Sequence, residues 1–97
     1  KDNYFFIYNY HNIAISHPYI QGKDMSNVRD KEGNLIVPVF VKLARRQGEG
    51  FTRYWWTRNS VDGKAYEKLT FVKNFPDWNM VIATGIFIDD INKEIAR

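Results

Sequence analysis

Two aromatic runs in the second half of the chain carry the side chains best suited to hold a ligand. The first is Gly50-Phe-Thr-Arg-Tyr-Trp-Trp-Thr-Arg58, and the second is Lys68-Leu-Thr-Phe-Val-Lys73. Both are rich in β-favouring residues, so each predicts a strand whose successive side chains point to opposite faces. We expect Tyr54 and Trp56 of the first strand to meet Phe71 and Lys73 of the second. Aromatic rings beside one ammonium suit a small anionic organic ligand.

Each of these residues also has a purely structural interpretation. The rings of Tyr54 and Trp56 could fill a small core. Lys73 shares its predicted strand face with Leu69 and Phe71, where an ammonium is costly unless it has a partner such as a ligand carboxylate. The alternative is that the stem of Lys73 packs against the sheet while its head reaches water at the sheet edge.

The first half of the chain adds two further candidates, His17 and Tyr8. His17 is held in an extended conformation before Pro18, and it could donate a hydrogen bond to a ligand oxygen or bond to local backbone. Tyr8 could contribute a pocket wall with a hydroxyl, or it could belong to the core. A zinc site from His11 and His17 is not expected, because the two lie on opposite arms of a predicted hairpin and the chain has no cysteine. No cofactor is predicted.

No catalytic arrangement emerges from the sequence. Ser16 and His17 are neighbours on a predicted strand and therefore point to opposite faces, which argues against a serine and base pair. Asp89 and Asp90 suit the positive end of a helix better than acid and base chemistry. Gly85 and the glycines around Gly48 form no phosphate-binding loop. We therefore predict a binding domain and not an enzyme.

The elements that position these residues can be predicted along the chain. Turn-favouring residues such as Asn12 and the Asp-Gly pair within Asn59-Ser-Val-Asp-Gly63 separate strand-like runs. A crossing segment, residues 19–34, leads to a helix with one apolar face that ends near Gly48. The predicted strands are residues 4–10, 13–17, 50–58, 64–74 and 80–88, the apolar helix face is Ile36, Val39, Phe40 and Leu43, and Asp89 caps a last helix with Ile91 and Ile95 on one stripe.

This order predicts an α+β fold of PAS-like outline. We expect a five-stranded antiparallel sheet, helix and loop cover on one face, and a C-terminal connecting helix. The run from Met80 to Ile88 is nearly continuous in apolar residues, so it should be a central strand covered on both faces. It is also far shorter than the roughly 20 residues that cross a bilayer, and residues 1–10 do not resemble a signal peptide.

Composition limits the classes of partner. The chain has 97 residues, a formal net charge of +3 and 16% aromatic residues, as expected for one globular domain. Single-stranded nucleic acid is the rival ligand class, because aromatic residues alternate with Arg53, Arg58, Lys68 and Lys73. The mild net charge and the lack of a basic stripe count against it, and we expect no nucleic-acid partner.

An ordered series of segments resembles the single Cache domain, the extracytoplasmic sensor of bacterial chemotaxis receptors, histidine kinases and cyclic-dinucleotide signalling proteins. Two departures stand out: Asn9 and Asn12 occupy positions where Asp and Gly are more usual, and Phe71 replaces a common Tyr, which removes a hydroxyl donor. The second departure concerns the identity of the ligand and not the fold. The matching segments are Tyr4-Phe-Phe-Ile-Tyr8, Ala14-Ile-Ser-His-Pro18, Gly22-Lys-Asp-Met25, Gly50-Phe51 with Tyr54 and Trp56, Lys68-Leu-Thr-Phe-Val-Lys73, Pro76-Asp-Trp78 and Ala83-Thr-Gly-Ile-Phe-Ile-Asp-Asp90.

The resemblance implies that residues 1–97 are a sensor domain for a small organic carboxylate such as acetate, propionate, pyruvate or lactate. It also implies a long helix before Lys1 and a transmembrane helix after Arg97, which would place the domain outside the cytoplasmic membrane of a membrane-anchored receptor. The output, a chemotaxis protein or a histidine kinase, stays open, as does a homodimer. The alternative is a sensor fold without a ligand that serves as a spacer or dimerisation module. The expected ligand-binding residues are Tyr54, Trp56, Lys73, His17, Phe71 and Tyr8.

Overall fold

The computed structural model describes residues 4–57 and 63–96. These residues form one antiparallel sheet with two α-helices and one short 3-10 turn, Pro76–Trp78. The predicted fold class, α+β with a PAS-like five-stranded sheet, is confirmed, and every predicted strand lies within one residue of its expected bounds. The strands are β1 (Phe5–Asn9), β2 (Ala14–Ser16), β3 (Glu49–Thr57), β4 (Ala65–Phe75) and β5 (Met80–Phe87), and the helices are α1 (Val37–Gln47) and α2 (Ile88–Ala96).

The strand order is β2-β1-β5-β4-β3, with every neighbouring pair antiparallel. The central position predicted for β5 is therefore confirmed. We call the face covered by α1 the inner face and the opposite one the outer face. On the outer face Ile86 of β5 is 38% exposed, and Phe5 and Phe51 on other strands are 72% and 66% exposed. The prediction that both faces of β5 are covered is thus wrong for the outer face of the described residues.

Helix α1 packs its buried side chains on the inner face of the sheet. Pro38 lies in its first turn and Gly48, with a φ of 84°, ends it, as predicted. The buried stripe within the helix is Val37, Phe40, Val41 and Ala44. The predicted stripe is therefore right at Phe40 and at Ile36, which is buried just before the helix, and wrong at Val39, which is exposed; Leu43 is half-buried. Apolar residues fill both stripes, so their period alone does not show which one faces the sheet.

The register of β3 and β4 decides which side chains share a face. Tyr54 lies opposite Lys68, and Trp56 lies opposite Tyr66. A two-residue turn at residues 62 and 63 would have placed residue 61 opposite 64, and hence Tyr54 opposite Phe71. The observed register differs from that one by three residues, and an odd shift exchanges the two faces of a strand. Residues 59–62 of the predicted turn, Asn59 to Gly63, lie outside the described residues.

The β1–β2 hairpin explains the two asparagines that depart from the family pattern. The side-chain Oδ1 of Asn9 accepts the backbone N–H groups of His11 and Ile13 at 2.8 and 3.0 Å, as an aspartate would. Asn12 has a φ of 68°, a conformation that asparagine tolerates better than most residues. The two substitutions therefore preserve the turn.

Helix α2 follows β5 without a linker and packs against β4 and β5. Asp89 was expected to cap this helix from outside, but the helix begins one residue earlier, so Asp89 and Asp90 both lie in its first turn. Their carboxylates still lie at the positive end of the helix dipole. Within residues 4–57 and 63–96, neither helix has the length and apolar character needed to cross a membrane.

Candidate functional site

The inner face of the sheet, the start of α1 and the crossing segment enclose a small cavity. The cavity has a free volume of about 10 Å³, close to the minimum that holds one water molecule. The apolar wall is formed by Phe6, Ile20, Met25, Ile36 and Val37, and the polar wall by Tyr8, His17, Tyr54, Trp56 and Lys68.

Lys68 provides the positive charge of the cavity. The residue is only 6% exposed, and its Nζ lies 4.7 Å from the ring centroid of Phe6 and 5.2 Å from that of Phe87. No carboxylate among the described residues comes within ion-pair distance of this ammonium. Burial lowers the pKa of Lys68 from 10.5 to about 8, because removal from water disfavours the charged form.

His17 is held as a neutral hydrogen-bond donor. Its Nδ1 accepts the backbone N–H groups of Tyr19 and Ile20 at 3.0 and 3.3 Å, so the proton of the neutral ring resides on Nε2. The ring stacks on Phe6, with centroids 4.4 Å apart. Burial, and then the charge of Lys68, lower the pKa of His17 to about 4. The histidine therefore stays uncharged at neutral pH.

Tyr54 and Tyr8 add two phenol groups that stay protonated. The hydroxyl of Thr70 donates to Tyr54 Oη over 3.1 Å, which leaves the phenolic proton of Tyr54 available for another acceptor. Burial raises the pKa of Tyr54 to about 12. Burial, together with Tyr54, also raises the pKa of Tyr8 above its ordinary value. The ring of Phe40 in α1 packs against both tyrosines and so keeps them in place. Its centroid lies 5.2 Å from that of Tyr54 and 5.7 Å from that of Tyr8.

The predicted site residues separate into two groups. The structure brings Tyr54, Trp56, His17 and Tyr8 to the cavity, but it does not bring Phe71 and Lys73 there. The expectation that these two share a face with Tyr54 is wrong, because the register places them on the outer face. The ring of Phe71 packs on Phe51 with centroids 5.0 Å apart. The side chain of Lys73 is 65% exposed, with its Nζ 3.6 Å from a carboxylate oxygen of Glu49.

Lys68 is the residue of the polar wall that sequence reasoning missed. It occurs in the same run as Lys73, five positions earlier and thus on the opposite face. Apolar residues occur on both faces of β4, so hydrophobic alternation does not distinguish the two lysines. Only the pairing of Lys68 with Tyr54 places it at the cavity.

The charge and the donors of the polar wall suit an anion. It presents one cation and several neutral donors, while no carboxylate lines the cavity in the described part of the chain. Ser16 is exposed whereas His17 is buried, so the two do not form a nucleophile and base pair. No group of three or more metal-ligating side chains occurs among residues 4–57 and 63–96.

Comparisons with known proteins point to one family. The Cache domain family matches residues 1–97. The sensor histidine kinase MctS of Rhizobium johnstonii is 32% identical over 94 residues, which are 94% of this chain and 20% of that protein. The methyl-accepting chemotaxis protein McpP of Pseudomonas putida is 30% identical over 99 residues, covering 99% of this chain and 18% of that protein. This chain thus spans about a fifth of the length of these relatives.

Solved structures share the fold. A periplasmic sensor domain of a chemotaxis protein superimposes with a TM-score of 0.80 and 28% identity, over 89% of this chain and 61% of the other. A Cache chemosensory domain whose structure addresses carboxylic acid recognition also gives a TM-score of 0.80, with 25% identity over 89% of this chain and 60% of the other.

Proposed function

Since the chain belongs to the Cache domain family, we propose that it is the ligand-sensing domain of a bacterial receptor and that its cavity binds a small organic carboxylate. The observation that carries the proposal is the ammonium of Lys68, which is buried in a donor-rich cavity with no counter-ion among residues 4–57 and 63–96. The role is binding and not catalysis. Acetate, propionate, pyruvate and lactate are the acids we expect to fit.

A carboxylate matches the charge and the donors of the cavity. A buried charge is costly unless it is paired and hydrogen-bonded, and a ligand carboxylate would pair with Lys68. Its oxygens would also accept hydrogen bonds from His17 Nε2, the Tyr54 hydroxyl and the indole N–H of Trp56. A neutral ligand of the same shape would leave the ammonium unpaired.

The rest of the cavity sets the size of the ligand. Its other wall is apolar, and Lys68 is the one cation among the residues that line it. A second carboxylate on the ligand would therefore face apolar side chains without a partner, which is unfavourable. The free space of about 10 Å³ means that even a short acid must displace the wall. Ile20 and Met25 lie on the crossing segment, which we propose moves aside and closes again.

A route from the cavity to α2 suggests how binding would be transmitted. Lys68 lies opposite Phe87 in the β4–β5 register, and Phe87 is the last residue of β5, directly before α2. A carboxylate that draws the ammonium toward itself would change its contact with the Phe87 ring. A ligand that binds one arrangement better than another shifts the population toward it. The C-terminal helix would thereby change its position.

The receptor context extends the proposal beyond the chain itself. We propose that the full-length protein is membrane-anchored, with this domain outside the cytoplasmic membrane, and that its output is a chemotaxis or histidine kinase module. The relatives MctS and McpP and the periplasmic sensor domain support this context. We also propose that a helix preceding residue 1 covers the outer face, where Phe5 and Phe51 are exposed. In a longer form of the protein, hydrogen exchange of the backbone amides of this sheet should then slow.

A thermal-shift screen tests the ligand class directly. Acetate, propionate, pyruvate and lactate should each raise the melting temperature in a concentration-dependent way, because a ligand at 100 times its Kd adds about 2.7 kcal/mol to the folded state. Acetamide has nearly the shape of acetate without its charge and should have no effect. Sodium chloride at equal ionic strength is the second control.

The same screen separates the alternatives. No response to any acid, including amino acids, would refute the carboxylate proposal and favour a spacer or dimerisation module. Tight binding of a single-stranded oligonucleotide that weakens steeply with salt would instead indicate a nucleic-acid domain. Equal stabilisation by acetate and acetamide would show that the charge of Lys68 does not select the ligand.

A further inference from the structure

Gly85 occupies a place in the sheet where a side chain does not fit. It lies on the inner face of β5, opposite Thr70 of β4. Its φ is not among the positive values of this chain, so the backbone conformation does not require glycine. A Cβ at this position would overlap Thr70 Oγ1 and would lie 2.8 Å from Lys68 Cε, closer than carbon atoms can approach. The missing side chain is space that Lys68 and Thr70 use.

The path of Lys68 explains why this space matters. Lys68 belongs to β4, yet its ammonium lies 4.7 Å from the ring of Phe6, which belongs to β1. Strand β5 lies between β4 and β1, and neighbouring strands are about 4.8 Å apart. The lysine stem must therefore pass over β5. It does so at Gly85, beside the small side chain of Ala83, which pairs with Phe6.

Thr70 is the second side chain that uses the space. It is fully buried, and its Oγ1 both borders Gly85 and donates to Tyr54 Oη. A methyl group at residue 85 would press on this hydroxyl and hence on Tyr54. One atom at Gly85 would thus disturb two groups of the polar wall at once.

We propose that Gly85 is a positioning residue for the cavity, because its missing side chain lets Lys68 cross the sheet to the polar wall and seats Thr70 against Tyr54. Gly85 itself contacts no ligand. The effect on affinity rests on the function proposed above, whereas the effect on Lys68 can be measured without any ligand.

The decisive variant is Gly85→Ala, with Gly50→Ala as its matched control. Gly50 is also a strand glycine, but a Cβ there would meet only the flexible side chain of Leu43, at 3.0 to 3.2 Å. The chain is produced with lysine that carries ¹³C at Cε, and the Lys68 signal is assigned by its absence in Lys68→Met. Its titration and chemical shift report whether the ammonium still lies among the aromatic rings.

We expect Gly85→Ala to displace the ammonium, so that its pKa rises from about 8 toward its ordinary 10.5 and its ring-shifted signal moves. Acetate affinity should fall roughly ten- to a hundredfold, as for a lost hydrogen bond to a charged group. Gly50→Ala should change neither the Lys68 pKa and signal nor the acetate affinity. Adding Gly85→Ala to a Lys68→Met background should cost little further affinity, since the main group it positions is gone.

An unchanged Lys68 titration and signal in Gly85→Ala would overturn the proposal, even if affinity fell. If Gly85→Ala does not fold, Thr70→Ala removes the overlapping hydroxyl, and the double variant Thr70→Ala with Gly85→Ala is compared with Thr70→Ala alone. The Lys68 pKa should again rise on adding the alanine, and no rise would overturn the proposal. If no acid binds the unaltered chain, the proposed function fails while the Lys68 titration still decides this inference.

Discussion

Replacing Lys68 by Met should make the domain more stable and unable to bind a carboxylate. Methionine keeps most of the length and apolar character of the lysine stem and removes only the charge. The two effects arise from the same physical fact, which is a buried ammonium that has no carboxylate partner in the described part of the chain. A ligand-binding residue that lowers stability in the absence of ligand is a common trade-off between function and stability.

The expected size of the stability gain follows from the pKa of Lys68. Burial lowers that pKa from 10.5 to about 8, which corresponds to about 3 kcal/mol against the charged form in the folded state. The loss of contacts between the ammonium and the rings of Phe6 and Phe87 subtracts about 1 kcal/mol. Lys68→Met should therefore raise the free energy of unfolding by about 2 kcal/mol at pH 7, or the melting temperature by roughly 8 to 16 °C.

The affinity for acetate should change in the opposite direction. Removing one partner of a buried charge pair costs about 2 to 5 kcal/mol, so the Kd should rise at least about thirtyfold. Urea unfolding and isothermal titration calorimetry measure the two quantities separately. Without acetate the variant is the more stable protein, and at acetate concentrations near 100 times the Kd the unaltered chain recovers about 2.7 kcal/mol.

Lys73→Met provides the matched control on the same strand. Lys73 is exposed on the outer face, where its Nζ lies 3.6 Å from a carboxylate oxygen of Glu49, and exposed pairs contribute less than about 1 kcal/mol. This variant should retain acetate affinity and nearly unchanged stability. The reasoning is refuted if Lys68→Met binds acetate as well as the unaltered chain, or if Lys73→Met loses binding in its place.

Three further predictions concern the polar wall. Acetate affinity should fall about tenfold per pH unit above the Lys68 pKa of about 8, because only the charged fraction of Lys68 binds well. Calorimetry at pH 7, 8 and 9 measures this dependence, and an affinity that does not change with pH would exclude Lys68 as the counter-ion. The pKa of His17 is lowered from 6.5 to about 4, so between these pH values the unfolded chain holds a proton that the folded one lacks, and stability should fall as the pH drops through this window. Urea midpoints that stay constant between these pH values, or that fall equally in His17→Gln, would contradict the attribution of this loss of stability to His17. Tyr54→Phe leaves the buried Thr70 hydroxyl without its acceptor, so unfolding should cost about 1 to 2 kcal/mol less and acetate should bind about tenfold more weakly; unchanged binding would show that this phenol does not contact the ligand.

The elements of the fold could be predicted because they depend on local residue types. Aromatic and β-branched runs favour strands, and Asn12 tolerates the positive φ that its hairpin uses. Gly48 ends α1 for a similar reason. The antiparallel order then follows from short connections between neighbouring strands. These local preferences also carry the family resemblance, which is why the Cache assignment came from the sequence.

Four of the six predicted site residues line the cavity. Tyr54 and Trp56 are two residues apart on one strand, so they must share a face whatever the register is. His17 and Tyr8 belong to segments of the family pattern that meet at the cavity. What could not be predicted was the partner of these residues on β4, because a strand offers a lysine to either face.

The sequence by itself determined the strands, the β1–β2 turn, the family and the common face of Tyr54 and Trp56 on β3, because each of these depends on neighbouring residues or on the two-residue period of a strand. Only the tertiary structure decided that Lys68 lines the cavity and Lys73 does not, since the register of β3 and β4 pairs residues far apart in the chain and an odd shift exchanges every side chain. Tertiary contacts likewise selected the buried stripe of α1 and showed that Gly85 leaves room for the lysine stem. The charge at the centre of the site thus depends on long-range pairing that no local pattern encodes.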